Sequence, residues 1–450
     1  MGVHGKFLWG AATSAYQVEG AAGEDGRGES IWDVFCRRPG AIQDGSTGDT
    51  ACDHYHRWRE DVGLMRSLGL SAYRFSISWP RIYPQGRGAV NRRGLDFYAR
   101  LVDALLEAGI TPAVTLYHWD LPQPLQDRGG WTNRDTASWF GDYAETVFKA
   151  LADRVPLWIT LNEPMASSML GYGMGIHAPG IADPASGLSA MHTMLLGHAF
   201  AFQAYRQMAM SGRVGVALDL HSVYPASDSE ADREAARRAD LLHNRWILDP
   251  LFKGAYPDDG IDRLKAFRAV PRIEPADLPL ILSHKPDFLG VNYYDPIRAR
   301  LEEGPHPVLG FQRVIPPGAP VTDMGWEVYP DGLYDLLMRI HRDYGSPALM
   351  VTENGAACRD VVDAEGRVHD EERVRFMDGH IRAALRARDA GAKLEAYFAW
   401  SLMDNFEWAA GYTKRFGIVH VDYHTQARTL KDSAMWYREV IRSRGGSLSE

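Results

Sequence analysis

The segment ALMVTENGAA, residues 348–357, runs apolar through Ala348, Leu349, Met350 and Val351 and then stops on Thr352-Glu353-Asn354-Gly355. An apolar run of this length, flanked by turn formers, reads as a buried strand, and a carboxylate at its end is costly to desolvate unless it is paired, protonated or used. Taken alone, Glu353 is open to a salt bridge, a cap or a metal ligand.

Seven further runs resemble it: FLWGAATSAYQ (7–17), YRFSISW (73–79), TPAVTLYHW (111–119), LWITLNEP (157–164), RVGVALDL (213–220), DFLGVNYY (287–294) and LEAYFAWSL (394–402). Between them lie stretches with apolar residues at i, i+3, i+4 and i+7, among them 94–109, 137–154 and 331–345. Strands that alternate with helices build parallel βαβ units, and eight such units close on themselves. A doubly wound sheet competes, but its glycine fingerprint is missing: GYGMGIHAPG (171–180) has the wrong spacing. Insertions at 18–53, 164–190 and 295–330, rich in Gly, Pro and Asp, read as loops and not as linkers. The expected fold is therefore α/β, a single (β/α)8 TIM barrel with long βα loops, one domain over residues 1–450.

Composition narrows the function. The net charge of −9, with Lys and Arg spread along the chain, argues against nucleic acid as a partner. Cys36, Cys52 and Cys358 are odd in number and form no C-x-x-C, so neither a disulfide framework nor a zinc site is expected. The start MGVHGKFLWGAATS has no apolar leader, Lys6 stands where myristoylation wants Ser or Thr, and no run approaches a membrane span. A cytoplasmic protein with no membrane partner is the expectation. In DHYH (53–56), a capping Asp53 with surface histidines is preferred to a metal site, because His54 and His56 lack a third ligand. No H-E-x-x-H, P-loop or G-x-S-x-G pattern occurs, and no metal or cofactor is expected.

What ends the strands carries the chemistry. Gln17, His118, Asn162 with Glu163, Asn292 with Tyr294, Glu353 and Trp400 all stand at or just past a strand end, and in a (β/α)8 barrel those ends converge on the rim that holds the active site. Glu163 and Glu353 are then two carboxylates in one pocket, as glycoside hydrolysis needs: one attacks or activates water while the other protonates the leaving oxygen. Two buried, salt-bridged glutamates are the bland alternative. Trp119, Trp326, Trp400, Trp408 and Tyr294 lie near the same ends, and aromatic faces cover the C–H face of a sugar.

Read together, TLNEP, VTENG, FLWGAATSAYQVEGA (7–21), YRFSISWPRI (73–82), YHWDLPQPL (117–125) and WSLMDNFEW (400–408) resemble glycoside hydrolase family 1, the β-glucosidase family, from Phe7 to about Tyr437. The resemblance implies a retaining β-glycosidase on a (β/α)8 barrel, with Glu163 as acid/base and Glu353 as nucleophile about 5 Å apart. By match to family positions, Arg74 sits near the nucleophile and Tyr294 hydrogen-bonds it, although Arg74 could equally pair a structural acid; Asn292 joins the same set. Gln17, His118, Trp119, Asn162, Glu407 and Trp408 fall on the glycone, with Trp400 as its platform and Trp326 at the cleft mouth.

Glu407 would accept bonds from the sugar's 4- and 6-hydroxyls and, as an anion, would repel a phosphorylated glycone despite nearby Lys414. Met165, Tyr172 and His177 are open between lining the aglycone side and purely structural roles. The implied reaction is exo-hydrolysis of terminal β-glucosyl residues from cellobiose and aryl β-glucosides, extending to galactosides and fucosides, and a part in cellulose degradation. The alternatives are a transglycosylase using the same residues and a sugar-binding protein on an inactive barrel. The partner is a small β-glucoside or oligosaccharide; homo-oligomerisation is left open.

Overall fold

The computed structural model describes residues 6–266, 269–301 and 310–448. Eight parallel strands close a barrel: β1 (Leu8–Ala12), β2 (Ala72–Ser76), β3 (Thr111–Tyr117), β4 (Leu157–Asn162), β5 (Arg213–Asp219), β6 (Leu289–Asn292), β7 (Leu349–Asn354) and β8 (Leu394–Trp400). Each pairs with its neighbours in sequence, and β1 closes on β8. Every strand lies within one of the eight apolar runs, apart from Ala72 of β2 just before the second. The first run is read too long: after Ala12 the chain leaves the ladder, Ala15 N–H donates to Ser76 Oγ at 2.7 Å, and Ala15–Val18 turns into a helix that carries Gln17.

The helices that flank the barrel include Arg92–Glu107, Asp135–Leu151 and Pro330–Asp343, each set slightly N-terminal to the range read from periodicity. Gly109 and Gly345 explain two of these offsets. Both adopt positive φ beyond the last turn, where a left-handed residue ends a helix.

The three insertions contain more structure than the loops expected of them. Helix Ile31–Cys36 is closed by a capping box between Ser30 and Asp33. The segment after β4 continues as Pro164–Ser168 and Met169–Gly173, and helix Pro184–Gln207 begins within the expected loop. Ile297–Arg300 pairs with Val223–Pro225 and Gln312–Arg313 in a small separate sheet. There Ile297 and Ala299 bury against Ala235 and Ala239, an apolar signal too short to stand out as periodicity. The DHYH reading is also corrected. Asp53 makes no cap bond and holds His56 Nδ1 at 2.5 Å, while His54 is buried against Asp61 at 2.7 Å and is not a surface histidine.

Strand alternation divides the core. Trp9 and Ala11 face the helices, while Leu8 and Ala12 face the barrel axis with Ala72, Ala113, Leu157, Ala217, Ala396 and Phe398. So many alanines inside leave room for larger side chains at the top. Arg74 illustrates this: its register partners are Ala12 on β1 and Ala113 on β3, and the guanidinium lies across the space they leave.

A buried ionic cluster ties the β7 and β8 loops to the C-terminal segment. Lys431 Nζ meets Asp360 at 2.5 Å and Asp404 at 2.6 Å; Arg415 bonds Asp404 at 2.6 Å; Arg373 bonds Asp360 at 2.8 Å and also pairs with Asp370. Burial raises the Asp404 carboxyl, but Lys431, Arg415 and Arg373 more than offset it and hold it low. Its contribution to stability is thus complete above the ordinary aspartate value and is lost as pH falls through the depressed one. Replacing Lys431 with Met leaves three buried carboxylates, Asp360, Asp370 and Asp404, to share two arginines, so that one buried charge is uncompensated. Denaturant titration is expected to show a loss of about 3–5 kcal/mol, and an unchanged midpoint would contradict this account.

Candidate active site

Both glutamates are re-aimed by irregularities in their strands. The β4–β5 register shifts between Ile159 and Asn162, and the β6–β7 register shifts between Val351 and Glu353; such bulges turn side chains out of the regular alternation. Glu163 follows β4 in left-handed backbone, φ 46°, ψ 59°, held there by its N–H to Ala217 O at 2.8 Å. Trp119 and Trp408 also have positive φ. Non-glycine residues reach that region at a cost, and here three of them surround one pocket. Gly355 completes the TENG stretch for a steric reason: a Cβ there would lie 1.7 Å from the Trp400 carbonyl oxygen.

A continuous hydrogen-bond chain joins the two carboxylates. Arg74 Nη1 donates to Glu353 Oε1 at 2.6 Å, and Tyr294 O–H donates to Glu353 Oε2 at 2.5 Å. Arg74 Nη2 donates to Asn162 Oδ1 at 2.5 Å. Asn292 Nδ2 donates both to that same oxygen, at 3.0 Å, and to Glu163 Oε1, at 2.7 Å. Thr352 O–H, donating to Asn292 Oδ1 at 2.6 Å, fixes which way the Asn292 amide points.

The environments set the two acids apart. Burial pushes Glu163 well up, the nearby Glu353 and Asp219 push it further, and the Asn292 bond opposes them weakly. Burial also raises Glu353 above the ordinary carboxylate value, but there Arg74, Tyr294 and Asn292 oppose it and limit the rise. Glu353 therefore ionises first and Glu163 keeps its proton. Such divergence between neighbouring carboxyls separates an acid from a nucleophile.

Above this layer opens a cavity of about 690 Å³ lined by His118, Trp119, Glu163, Tyr294, Trp326, Glu353, Trp400, Glu407 and Trp408 among others, within the size range of small-molecule sites. Gln17, Arg74, Asn162 and Asn292 are buried around it instead. Gln17 is engaged by Ser14, Asn405 and Phe406 O, and Asn354 by Tyr293 O and Tyr397.

His118 stacks on Trp400, ring centroids 5.8 Å apart, and its Nε2 faces Asn162 Nδ2 at 3.0 Å. Because Asn162 Oδ1 already accepts two bonds, Nδ2 is the donor and His118 Nε2 the acceptor. Burial keeps this ring neutral, so its proton sits on Nδ1, which has no partner among the described residues. Glu407 Oε2 is likewise buried without a partner. Burial, reinforced by Glu353, pushes this carboxyl up to about 8; the anion expected from sequence is a neutral acid near pH 7 in the free protein. Lys414 turns away to Asp323, with contacts of 2.6 and 2.9 Å.

Of the residues left open, Met165 and His177 line the cavity, while Tyr172 O–H bonds Gln126 as a structural group. Among the described residues no group of three or more His, Cys, Asp or Glu is arranged to hold a metal ion.

The family model for "Glycosyl hydrolase family 1" matches residues 3–446. The chain belongs to glycosyl hydrolase family 1. It is 49% identical over 439 residues to Beta-glucosidase A of Acetivibrio thermocellus, covering 98% of each chain. It is 44% identical to the bifunctional beta-D-glucosidase/beta-D-fucosidase of Bifidobacterium breve, over 97% of each. Its structure matches that of the Thermotoga maritima beta-glucosidase in complex with glucoimidazole with a TM-score of 0.93, at 46% identity and 98% coverage of both chains.

This family 1 glycoside hydrolase also places in its pocket residues that the sequence reading passed over: Asp219, His221, Leu242, His243, Asp295 and Arg313. Asp219 had the same signal as the glutamates, a carboxylate ending an apolar run, but RVGVALDL continues apolar past it and hides the strand end. The others come from the β5 and β6 loops, where no periodicity marks them.

Proposed function

We propose that this glycoside hydrolase is a retaining, exo-acting β-glucosidase that removes terminal β-glucosyl residues from cellobiose and aryl β-glucosides, with β-fucosides and β-galactosides as further substrates. It acts as a single catalytic domain in the cytoplasm. What carries the reading is the asymmetry between two carboxyls on one hydrogen-bond chain: Glu353 clamped by Arg74 and Tyr294, Glu163 protonated beside Asn292.

In this reading Glu353 attacks the anomeric carbon while Glu163 passes its proton to the departing oxygen. The bond to the aglycone breaks as the glycosyl ester forms. Esterification removes the Glu353 charge, so Glu163 loses the repulsion that raised it and takes a proton from water, whose oxygen then attacks the ester. The Nδ1–H of His118 is the donor left for a glycone hydroxyl, with Asn162 holding that ring from behind. Trp400 lies under the ring, and Glu407 offers an oxygen to its far side. Lys414, the cation close to Glu407 in sequence, is engaged by Asp323 and does not favour a phosphorylated sugar. The relatives named as β-glucosidases, and one as β-glucosidase/β-fucosidase, agree with the glycone assigned here.

The test is release of glucose from cellobiose and an aryl β-glucoside, with the product anomer followed by NMR. The β-anomer appears first under retention; initial α-glucose would mean inversion and a wrong mechanism. The pH profile follows from the two directions. kcat/KM falls on the acid side as Glu353 is protonated and on the alkaline side as Glu163 loses its proton, and the raised Glu163 places the second limb above the ordinary carboxylate range. A rate that stays flat through the neutral range and on across the alkaline range would remove Glu163 as the acid.

A further inference from the structure

The cavity contains a third carboxyl, Asp219, whose only part in the reaction above is the repulsion that helps to raise Glu163. Asp219 ends β5 in register with Asn292 on β6, and Asn292 is in register with Glu353 on β7. In-register residues of adjacent parallel strands share a face. Asn292 points inward to Glu163 and Asn162, so Asp219 points inward beside it, on the strand next to the one that leads into Glu163. Acid, amide and acid thus stand side by side on three adjacent strands, with Glu163 flanking the first.

Asp219 lines the cavity, and its Oδ1 is buried without a hydrogen-bond partner. An orphaned carboxylate oxygen is costly, and native structures retain one where something outside the protein satisfies it. The backbone N–H groups of Asp219 and Ala166 favour the ionised carboxyl, yet Oδ1 keeps no partner among the described residues, and the nearest side-chain donors are turned to other groups. His221 Nδ1 is engaged by Asp295 O at 3.0 Å, and Arg313 is paired with Asp295 and bonded to Pro296 O at 2.8 Å. Met165, Met169, Leu170 and Leu242 add an apolar lining. A hydroxyl-bearing ring bound there finds an unengaged acceptor beside an apolar wall.

We propose that Asp219 is a specificity-determining residue for the leaving group: its unpartnered oxygen accepts a hydrogen bond from a hydroxyl of a departing sugar, favouring disaccharides over glucosides of aglycones that lack one. A leaving group without a hydroxyl leaves the oxygen unpaired, and it is the unpaired polar group that makes such discrimination strong. Burial moves the Asp219 carboxyl up only to about 6, against the opposing pull of His221, so it is ionised and an acceptor at neutral pH.

This rests on the β-glucosidase reading, and the experiment separates the two. kcat/KM is measured for cellobiose and for 4-nitrophenyl β-glucoside with wild type, Asp219→Ala and Asp219→Asn. The ratio of cellobiose to aryl glucoside is expected to fall roughly 10- to 100-fold in Asp219→Ala, the worth of a hydrogen bond to a charged group, and less in Asp219→Asn, whose amide oxygen still accepts. An unmoved ratio overturns the proposal; because loss of Asp219 also alters Glu163, whose proton cellobiose needs more than the aryl glucoside does, a fall in the ratio with an unchanged cellobiose Kd overturns it too. A second measurement needs no turnover. In a Glu353→Gln background, adding Asp219→Ala is expected to raise the cellobiose Kd about tenfold while leaving the glucose Kd within twofold. An inactive wild type whose cellobiose binding still depends on Asp219 would sink the hydrolase reading and keep this one; an active wild type with unchanged ratio and Kd would do the reverse.

Discussion

Glu353→Ala is expected to lower turnover of an aryl β-glucoside by on the order of 10⁵-fold, because the group that forms the covalent intermediate is gone. Loss of a structural carboxylate would look different. Arg74 and Tyr294 both direct donors at this position, so the truncated site retains a pocket built for an anion. Azide or formate added at high concentration fits that pocket, attacks the anomeric carbon from the face Glu353 used, and restores part of the rate. One displacement replaces two, and the rescued product carries the α-configuration, readable by NMR. Arg74 is buried, and removing its partner also costs stability; Glu353→Gln, which keeps the volume and an acceptor oxygen, separates misfolding from lost chemistry. Turnover near wild type in either variant would remove Glu353 as nucleophile. A rescued product of β-configuration would place the attack on the wrong face.

The fold could be read from sequence because the barrel strands are buried on both faces and so appear as unbroken apolar runs, all eight of which hold a strand. The limits of β1 were misread for the same reason: Ala15–Val18 is as apolar as a strand, and only the Ser76 hydroxyl taking the Ala15 N–H shows where the ladder stops. The rim acids were readable where a polar residue breaks an apolar run, as Glu163 and Glu353 do. Asp219 does not break one, because Leu220 follows it into the core.

Charge state was harder than position. The motif puts Glu407 in the pocket, but its proton depends on burial and on the charge of Glu353 nearby, a fact about three-dimensional neighbours that no one-dimensional pattern contains. The tautomer of His118 is similar, since it follows from two bonds that converge on Asn162 from β2 and β6.

Glu163→Ala should separate the two chemical steps by their need for a proton. An alkyl glucoside or cellobiose has a poor leaving group, and its hydrolysis is expected to slow by about 10²- to 10⁴-fold, the usual worth of general acid catalysis. 2,4-Dinitrophenyl β-glucoside departs without a proton, so its first step stays fast while the second lacks a base; the glycosyl ester accumulates, seen as a burst of phenolate and a much reduced KM. Azide again restores turnover, but here it intercepts the ester, so two displacements occur and the product is the β-glycosyl azide. The opposite product configurations from Glu163→Ala and Glu353→Ala tie each residue to its own step. The pH dependence supplies an independent sign. Burial, Glu353 and Asp219 hold the Glu163 proton on at neutral pH, and wild-type activity declines as pH rises through that elevated value. In Glu163→Ala the alkaline limb should vanish and the acid limb, set by Glu353, should remain. A limb that survives the substitution would assign the titration to another group, with Glu407 and Asp219 the carboxyls next in line.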